Sequence, residues 1–265
     1  MINTKTQIIA GIADGVSDKA TIMYNKSIQN LKLNSIYLAF SLKNIEYAVK
    51  AIKSLNFLGA TISMPFKEKV INYLDKISKE AKDIGAINTV VNKNGLFIGY
   101  NTDFIGAIQA LKKKTSLKNK KVILIGAGGV AKAIAYGLNK EGCKVIILNR
   151  TLNKAKKLAK RYNFEFASLK ELKNIKKYDI IINATSVGFK NNKKIIDKSF
   201  IRKNKVLMDV VFDPVETQLI KDAKRKKCKI VTGLDMLIYQ AIAQFELFYN
   251  KKPSFNILKK GYNSV

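Results

Sequence analysis

Residues 121–131 carry an apolar run, a glycine turn and helical periodicity in the order K-V-I-L-I-G-A-G-G-V-A. This order predicts a strand, a phosphate-binding turn and a helix. Gly126 permits a tight turn, Gly128 lets the backbone approach a pyrophosphate, and Ala131 permits close helix packing, as in the G-x-G-x-x-[GA] dinucleotide fingerprint. Amides at the helix start would hold the anion. The alternative is a glycine turn that closes an ordinary βα unit. The predicted cofactor contacts of this turn are Gly126, Ala127, Gly128, Gly129, Val130 and Ala131.

The end of the next predicted strand indicates which dinucleotide binds. In a site that prefers NAD, an Asp or Glu here usually bonds the ribose hydroxyls, and an acid would repel a 2′-phosphate. This chain has Asn149, Arg150 and Thr151 instead, with Lys154 one turn further on. A guanidinium suits a phosphate through paired charged hydrogen bonds, so we predict NADP. A solvated strand end in a lysine-rich protein is the alternative.

Acid–base chemistry in this chain has to do without histidine, since none is present. That excludes Ser-His-Asp and Cys-His catalysis and every histidine metal ligand. Proton transfer must come from Lys, Asp, Glu, Tyr or Cys. The two cysteines, Cys143 and Cys228, are far apart and lack a C-x-x-C partner. We therefore predict free thiols in a reducing cytoplasm, and neither a metal site nor a disulfide framework.

Length and composition indicate a globular protein of one large or two medium domains. Of the 265 residues 47% are hydrophobic, and no apolar run approaches the ~20 residues of a membrane span. The formal charge of +30 raises the possibility of a nucleic-acid or membrane partner. Lysines are, however, spread along every predicted helix and only four arginines occur, without an aromatic-interleaved patch. We expect solvated lysine faces, no specific nucleic acid, no membrane, and a cytoplasmic location.

Strands and helices alternate in the first half of the chain, which predicts mostly parallel strands. Asn44 is placed to cap a helix, and an Asn-Gly turn marks a hairpin between residues 86–91 and 96–100. Pro65 ends one strand, and Lys67 at the following strand-to-helix junction is notable. The predicted strands here are 6–13, 35–40 and 58–64, and the predicted helices are 18–31, one from Asn44, one from Lys67 and 104–113.

The second half is predicted to be a doubly wound sheet, in which ligands gather at the carboxyl ends of strands. Its further strands are predicted at 164–167, 179–184, 205–212 and 229–232, with helices at 217–227 and 236–249. Residues at or near their carboxyl ends add Thr185, Ser186, Val210 and Gly233 to the predicted cofactor contacts.

Eight segments occur in one order along the chain: S-M-P-F-K-E, A-I-N-T-V, N-T-D-F-I-G, G-A-G-G-V-A, N-R-T, N-A-T-S-V-G, D-P-V-E-T and G-L-D-M-L-I-Y-Q-A. The set resembles the shikimate/quinate dehydrogenase family over nearly the whole chain. The resemblance implies an N-terminal α/β substrate domain at 1–103, a Rossmann NADP domain at 104–235, and a C-terminal helix at 236–265 that packs back on the first domain. It also implies a monomeric or homodimeric NADP-dependent oxidoreductase that interconverts 3-dehydroshikimate and shikimate in chorismate and aromatic amino acid biosynthesis.

Position by position, the resemblance assigns Lys67 and Asp103 as the catalytic pair. Ser63, Asn88 and Gln240 are its contacts to substrate hydroxyl and carboxylate groups. Reduction of a ring ketone by hydride leaves an alkoxide that needs a proton, which a lysine beside a carboxylate can stabilise and exchange. For Lys67 the alternative is a surface lysine at a helix start. For Ser63 and Asn88 it is capping of a turn or strand end, and for Gln240 it is the polar face of an amphipathic helix.

Two departures from the family pattern concern the substrate. Where the family usually reads H-S-x-S-P, residues 15–20 read G-V-S-D-K-A, which keeps Ser17 as a predicted substrate contact but puts Lys19 in place of the second serine. Phe212 stands where the family has a tyrosine. Both changes favour the shikimate-dehydrogenase-like branch, with quinate or another cyclic hydroxy acid as alternative substrate. Lys19 either pairs with a substrate carboxylate or is solvated. Two alternative functions belong to other classes of protein, namely a non-catalytic NADP sensor and a basic nucleic-acid-binding protein.

Overall fold

The computed structural model describes residues 2–264, which form two compact units. The first unit takes the chain up to Thr102 and again from Ala241 onward, and the second runs from Asp103 to Gln240. No helix among the described residues is long and apolar enough to cross a membrane.

The helices and strands alternate along most of the chain. The strands are β1 Gln7–Ala13, β2 Ser35–Ser41, β3 Gly59–Ile62, β4 Lys76–Ile77, β5 Thr89–Lys93, β6 Leu96–Tyr100, β7 Lys121–Ile125, β8 Lys144–Leu148, β9 Glu165–Ala167, β10 Ile180–Asn183, β11 Val206–Asp209 and β12 Lys229–Val231. The α-helices are α1 Asp18–Asn30, α2 Ile45–Ser54, α3 Lys79–Ile84, α4 Asp103–Lys112, α5 Gly129–Lys140, α6 Leu152–Lys160, α7 Gln218–Arg225, α8 Gly233–Tyr249 and α9 Phe255–Tyr262.

The first unit is built on a six-stranded sheet in the order β2-β1-β3-β5-β6-β4. Strands β1, β2 and β3 are parallel, whereas β5 runs antiparallel to both of its neighbours. The predicted Asn-Gly hairpin joins β5 to β6, with positive φ of 55° at Asn94 and 85° at Gly95. This is the geometry that an Asn-Gly hairpin turn favours. Consequently β1, β3 and β6 end at the edge of the sheet where β5 begins.

One of the two outer strands of this sheet, β2, has backbone groups near its middle that bond to a side chain of α1. The Asn25 amide donates to the Tyr37 carbonyl and accepts from the Tyr37 backbone N–H, both at 2.9 Å. Helix α9 also packs on α1, since a Cβ at Gly261 would lie 2.9 Å from the Met23 Cα. The prediction that the C-terminal end packs on the first part of the chain is confirmed.

The second unit is a six-stranded, all-parallel sheet in the order β12-β11-β10-β7-β8-β9. This is the doubly wound order, in which the chain switches direction between β7 and β10. The strands are apolar on both faces, as expected for a parallel sheet covered by helices. Ala131 is fully buried in α5, which confirms the close helix packing predicted from its small size.

Several sequence-based boundaries are wrong because hydrogen bonds, some of them to residues far along the chain, override the apolar periodicity. The predicted helix from Lys67 is an irregular turn followed by a 3₁₀ helix at Lys69–Tyr73, of which only Val70 is fully buried. The C-terminal helix that the resemblance implies at 236–265 is two helices, α8 and α9, separated by a left-handed Asn250. The end at residue 249 that the apolar pattern predicts is confirmed. Helix α8 also begins earlier than Met236. The strands predicted at 58–64 and 205–212 are shorter than expected, and α3, β4 and a 3₁₀ helix at Leu169–Lys177 were not predicted.

Both cysteines are free thiols, as predicted, and they differ in burial. Burial raises the pKa of the Cys143 thiol to about 11, and this thiol also donates to the Leu117 carbonyl at 3.2 Å. Burial raises the pKa of the half-buried Cys228 thiol as well.

We expect iodoacetamide to label Cys228 before Cys143 in the folded protein. Only the thiolate reacts, and a pKa near 11 leaves about one Cys143 thiol in a thousand ionised at pH 8. Because the pKa is raised, labelling of Cys143 should accelerate as the pH rises. Peptide mass spectrometry measures both sites, and the urea-unfolded chain is the control in which both should label alike. Equal labelling of the folded protein would contradict the burial of Cys143.

Candidate active site

Polar side chains in the first unit collect at the edge where β1, β3 and β6 end. The Asn88 carbonyl accepts from the Ile62 backbone N–H at 2.8 Å, and the Asn88 N–H donates to the Tyr100 carbonyl at 3.1 Å. The Asn88 side chain is buried between these strands. Its Oδ1 accepts from the Thr102 backbone N–H at 2.7 Å. Asn88 is therefore held rigidly at the edge of the sheet.

Lys67 and Ser63 lie on the loop that leaves β3 at this same edge. The Lys67 carbonyl accepts from the Ile87 N–H at 2.7 Å, which ties the loop to the residue before Asn88. The side chain of Lys67 is half-buried and that of Ser63 is exposed. Ser17 is exposed at the start of α1, beyond the end of β1. The sheet thus brings four of the predicted residues to one edge.

Asp103 and Gln240, the other two residues assigned to catalysis and substrate, belong to the second unit. Asp103 is buried and opens α4 directly after Thr102. Gln240 is half-buried on α8. A Cβ at Gly106 of α4 would lie 2.9 Å from the Gln240 N, so the two helices cross closely within this unit.

The glycine turn after β7 shows two different uses of glycine. Gly126 has a φ of +117°, and a Cβ there would lie 2.7 Å from the Ala184 carbonyl oxygen, so the fold itself requires glycine. Gly128 has an ordinary φ of −85°, and a Cβ at Gly128 or Gly129 would meet no protein atom within 4 Å. Packing within the protein therefore does not explain why positions 128 and 129 are glycines. The open cradle at the start of α5 fits the pyrophosphate of a dinucleotide.

Changing Gly128 to alanine is expected to weaken NADP about tenfold while leaving the melting temperature unchanged. The added methyl group meets only open space in the protein, so it would crowd only what occupies the cradle, and such overpacking costs roughly 1–3 kcal/mol. Calorimetric titration with NADP and thermal unfolding measure the two quantities. Gly142→Ala is a control for cofactor affinity only, since Gly142 has open surroundings but a left-handed φ of +68° that makes an alanine there strained. Unchanged NADP affinity in Gly128→Ala would exclude the cradle as the binding site.

Next to this turn, a buried polar cluster joins the ends of β10 and β11. Asn183 donates to Asp209 Oδ1 at 3.0 Å and accepts from the Thr185 N–H and hydroxyl at 3.1 and 2.7 Å. Asp209 also accepts from the Thr217 hydroxyl at 2.7 Å and the Val211 N–H at 3.1 Å. Burial raises the pKa of the Asp209 carboxyl, and its hydrogen bonds oppose that shift. The cluster fixes the loop that carries Thr185 and Ser186.

The residues predicted to select NADP lie after β8, the neighbour of β7 in the sheet. Arg150, Thr151 and Lys154 are all exposed, and the first turn of α6 holds no acidic residue. Asn149 donates from its side chain to the Thr151 carbonyl at 3.0 Å, which fixes the approach to the helix. A helix start with two cations and no carboxylate favours an anion.

Packing of the backbone explains why residue 233 is a glycine. A Cβ there would lie 2.4 Å from the Val211 carbonyl oxygen and 2.5 Å from that of Val210, so α8 starts against the end of β11. The contact of Val210 and Gly233 with the cofactor stays a prediction.

Two buried groups at these edges were not predicted from the sequence. Gln244, one turn beyond Gln240 on α8, donates to the Asn88 carbonyl and to Thr89. The i, i+4 spacing of the two glutamines in Q-A-I-A-Q was the available signal. Asp209 is the other, and a carboxylate within a run of buried β-strand residues was its signal. No three Cys, Asp or Glu side chains within residues 2–264 are grouped so as to hold a metal ion.

The chain thus combines a mixed-sheet unit with a polar edge and a doubly wound unit of the dinucleotide-binding type. Family models match most of its length: the shikimate dehydrogenase substrate binding domain at 12–90, shikimate/quinate 5-dehydrogenase at 109–213, and the shikimate 5′-dehydrogenase C-terminal domain at 233–260. The chain therefore belongs to the shikimate/quinate dehydrogenase family.

Individual relatives match over their full length. The NADP(+)-dependent shikimate dehydrogenase of Pyrococcus furiosus is 38% identical over 263 residues, covering 98% of this chain and 96% of that protein. The crystal structure of shikimate dehydrogenase from Aquifex aeolicus is 37% identical, with a TM-score of 0.94 and complete coverage of both chains. The Thermus thermophilus enzyme, solved with NADP(H) and shikimate, is 28% identical with a TM-score of 0.90, covering 97% of this chain and 98% of that one.

Proposed function

We propose that this chain is an NADP-dependent dehydrogenase that interconverts 3-dehydroshikimate and shikimate. The observation that carries the proposal is the polar edge of the first unit, where a half-buried lysine, an exposed serine and a buried, rigidly held asparagine meet on one sheet. A ring bearing several hydroxyls and a carboxylate needs such a set of fixed donors. Full-length relatives that carry this activity support the assignment.

On the substrate side, Ser17, Ser63 and Asn88 would bind hydroxyl and carboxylate groups, together with Gln240. Asn88 supplies a fixed amide because two strands and Thr102 hold it in place. A fixed donor costs no ordering on binding, which favours affinity and orientation.

On the cofactor side, the open cradle at Gly128 and Gly129 and the start of α5 would hold the pyrophosphate, with Ala127, Val130 and the Thr185–Ser186 loop around it. Arg150, Thr151 and Lys154 would hold the 2′-phosphate. When bound, NADP supplies the hydride that reduces the ring ketone, or accepts it in reverse.

Side chains of the protein would transfer the proton that accompanies hydride transfer. Reduction turns the ketone oxygen into an alkoxide, and the Lys67 ammonium would stabilise that charge and transfer a proton to the oxygen. Asp103 would be the carboxylate of the acid–base pair, as the family resemblance implies. In the oxidation direction the same residues would remove the hydroxyl proton.

The decisive experiment is a spectrophotometric assay of nicotinamide reduction with shikimate and quinate, each tested with NADP and with NAD. We expect turnover with shikimate and NADP. Turnover of quinate but not of shikimate would change the assigned substrate to quinate. Tight NADP binding without turnover of any cyclic hydroxy acid would instead identify a sensor. Salt-resistant, sequence-selective nucleic-acid binding would favour the remaining rival.

The departures at Lys19 and Phe212 bear on the alternative substrate. The Lys19 ammonium lies 5.3 Å from the centroid of the Tyr262 ring, so it has a cation–π partner within its own unit. Phe212 has its ring centroid 6.3 Å from that of Phe189 and offers no hydroxyl to a carboxylate. Quinate in the assay tests whether these changes altered the substrate.

The oligomeric state and the location of the protein stay predictions. We expect a monomer or homodimer in the cytoplasm. The formal charge of +30 makes polyanion binding at low salt the expected artefact. Light scattering at two salt concentrations separates true association from that effect.

A further inference from the structure

A buried carboxylate lies at the carboxyl end of β11 in the second unit. Asp209 is fully buried and is paired in register with Asn183 at the end of β10. Among residues 2–264 its hydrogen-bond partners are three neutral groups, namely the Asn183 amide, the Val211 N–H and the Thr217 hydroxyl. Burying a charge without a cation costs free energy, so a carboxylate at this position calls for a reason.

The direction of each hydrogen bond around Asp209 can be assigned from backbone groups. Asn183 Oδ1 accepts from the Thr185 backbone N–H at 3.1 Å, and a backbone N–H can only donate. The amino group of Asn183 therefore faces Asp209 Oδ1, 3.0 Å away. Thr217 Oγ1 accepts from the Ile220 N–H at 3.2 Å, which leaves its own proton for Asp209 Oδ2 at 2.7 Å. Every partner of Asp209 is thus a donor, and the ionised carboxylate accepts from all of them.

Asn183 passes this order on to the loop that follows β10, residues 185–188. Its Oδ1 accepts from the Thr185 hydroxyl at 2.7 Å, and its amino group donates to the Val187 carbonyl at 3.3 Å. The Thr185 hydroxyl also accepts from the Val187 N–H at 3.2 Å. The Asn183 amide is therefore engaged at both ends, and it holds the loop in a tight turn.

The loop 185–188 is packed between two other elements of the same unit. A Cβ at Gly126 of the glycine turn would lie 3.3 Å from Thr185 Cγ2. At the other end of the loop, a Cβ at Gly188 would lie 3.5 Å from Thr217 Cγ2, at the start of α7. The loop thus connects the glycine turn with the residue that caps α7.

The order of the strands indicates which half of a dinucleotide would lie beside this loop. The pyrophosphate cradle follows β7, and the cations predicted to bind the 2′-phosphate follow β8, its neighbour on one side. The adenosine half would then extend over β8. The nicotinamide half would extend the other way, over the ends of β10 and β11, where Asn183 and Asp209 lie.

We propose that Asp209 is a positioning residue for the nicotinamide half of NADP, since it fixes the loop 185–188 through Asn183 on one side and through Thr217 on the other. The inference rests on the NADP site of the proposed function. Asp209 itself is fully buried and acts through these neighbours. A loop that is already fixed in the free protein needs no ordering when the cofactor binds, which favours affinity.

The test compares the binding of NADP with that of adenosine 2′,5′-bisphosphate, which carries the 2′-phosphate and lacks the nicotinamide half. In Asp209→Asn an amino group takes the place of Oδ2 and faces the Thr217 hydroxyl, whose proton loses its acceptor. We expect calorimetry to show NADP binding about five- to tenfold weaker, the factor for one lost hydrogen bond, and the bisphosphate binding as in the wild type. Unchanged binding of NADP would overturn the inference. Equal weakening of both ligands would overturn it too, because it would indicate a general loss of structure.

The matched control is Asp222→Asn, at another buried carboxylate of the second unit. Asp222 lies on α7, away from the strand ends, and accepts from the Gln218 side chain at 2.8 Å. Both ligands should bind this variant as they bind the wild type. A loss of NADP affinity as large as in Asp209→Asn would attribute the effect to any buried charge and contradict a specific role of Asp209.

Thr217→Val tests the other side of the network, and it serves as the main variant if Asp209→Asn folds poorly. It should weaken NADP about two- to fivefold and spare the bisphosphate, whereas Thr217→Ser keeps the hydroxyl and should bind NADP as the wild type does. In the double variant Asp209→Asn, Thr217→Val the losses should not multiply, because both changes break the same hydrogen bond. Multiplicative losses would contradict action through one network. A wild type that binds NADP without turning over shikimate would refute the proposed substrate and leave this binding test decisive for Asp209.

Discussion

Replacing Lys67 with alanine is expected to lower kcat about a hundred- to ten-thousandfold, the usual contribution of general acid–base catalysis. The chain contains no histidine to take over proton transfer. Because the ammonium acts on charge that develops in the transition state, kcat and kcat/KM should fall alike. Steady-state kinetics with shikimate and NADP measure both.

The control for this variant is Lys69→Ala, which removes an exposed lysine from the same segment. It should leave kcat unchanged, so that a loss of local charge is separated from a loss of catalysis. Wild-type kcat in Lys67→Ala would remove Lys67 from the mechanism.

Asp103→Asn tests whether the lysine and the carboxylate act as one acid–base pair. We expect it to lower kcat and to raise KM for the substrate, since a carboxylate can also accept a hydrogen bond from a substrate hydroxyl. The activity of the double variant Lys67→Ala, Asp103→Asn should then be little lower than that of the less active single variant. Fully multiplicative losses would show that the two residues work independently.

Replacing Arg150 with alanine should weaken NADP about ten- to hundredfold and NAD much less. A charged hydrogen-bonded contact to phosphate contributes about 1.5–3 kcal/mol, and only NADP carries the 2′-phosphate. The first turn of α6 contains no acidic residue that could take over NAD recognition. Dissociation constants of both cofactors for wild type and variant measure the change in preference.

Lys156→Ala, an exposed lysine further along α6, is the control for a general charge effect. It should change both affinities little, especially at physiological salt where exposed charges are screened. Equal losses for NADP and NAD in Arg150→Ala would refute its role in selecting the 2′-phosphate.

The elements set by local chemistry were predictable from the sequence. The glycine turn after β7, the Asn94–Gly95 hairpin and the cap at Asn44 follow from single residues with few alternatives. The doubly wound second unit follows from alternating apolar runs and helices. These predictions are confirmed because each local preference agrees with the fold.

Features set by distant contacts were not predictable from one sequence. The helix expected from Lys67 is a turn because its backbone bonds to Ile87, twenty residues on. The start of α8 at Gly233, in contrast, is set locally by reciprocal capping bonds between Thr232 and Asp235, a T-x-x-D signal that apolar periodicity alone does not reveal. The hydrogen-bond partners of the Gln244 side chain lie 155, 156 and 220 residues away in the chain, and no local pattern specifies them.

The bond between Asn25 and Tyr37 also bears on how this molecule avoids unwanted association. Strand β2 is one of the two outer strands of its sheet and carries no charged residue, so its backbone would otherwise be a template for a strand of another chain. Asn25 occupies both backbone groups at the middle of that strand, as a neighbouring strand would. Any intruding strand must first displace this side chain. A single amide therefore occupies the pairing groups of Tyr37 on the exposed edge, in a position where other proteins often place a lysine or a proline against edge-to-edge association.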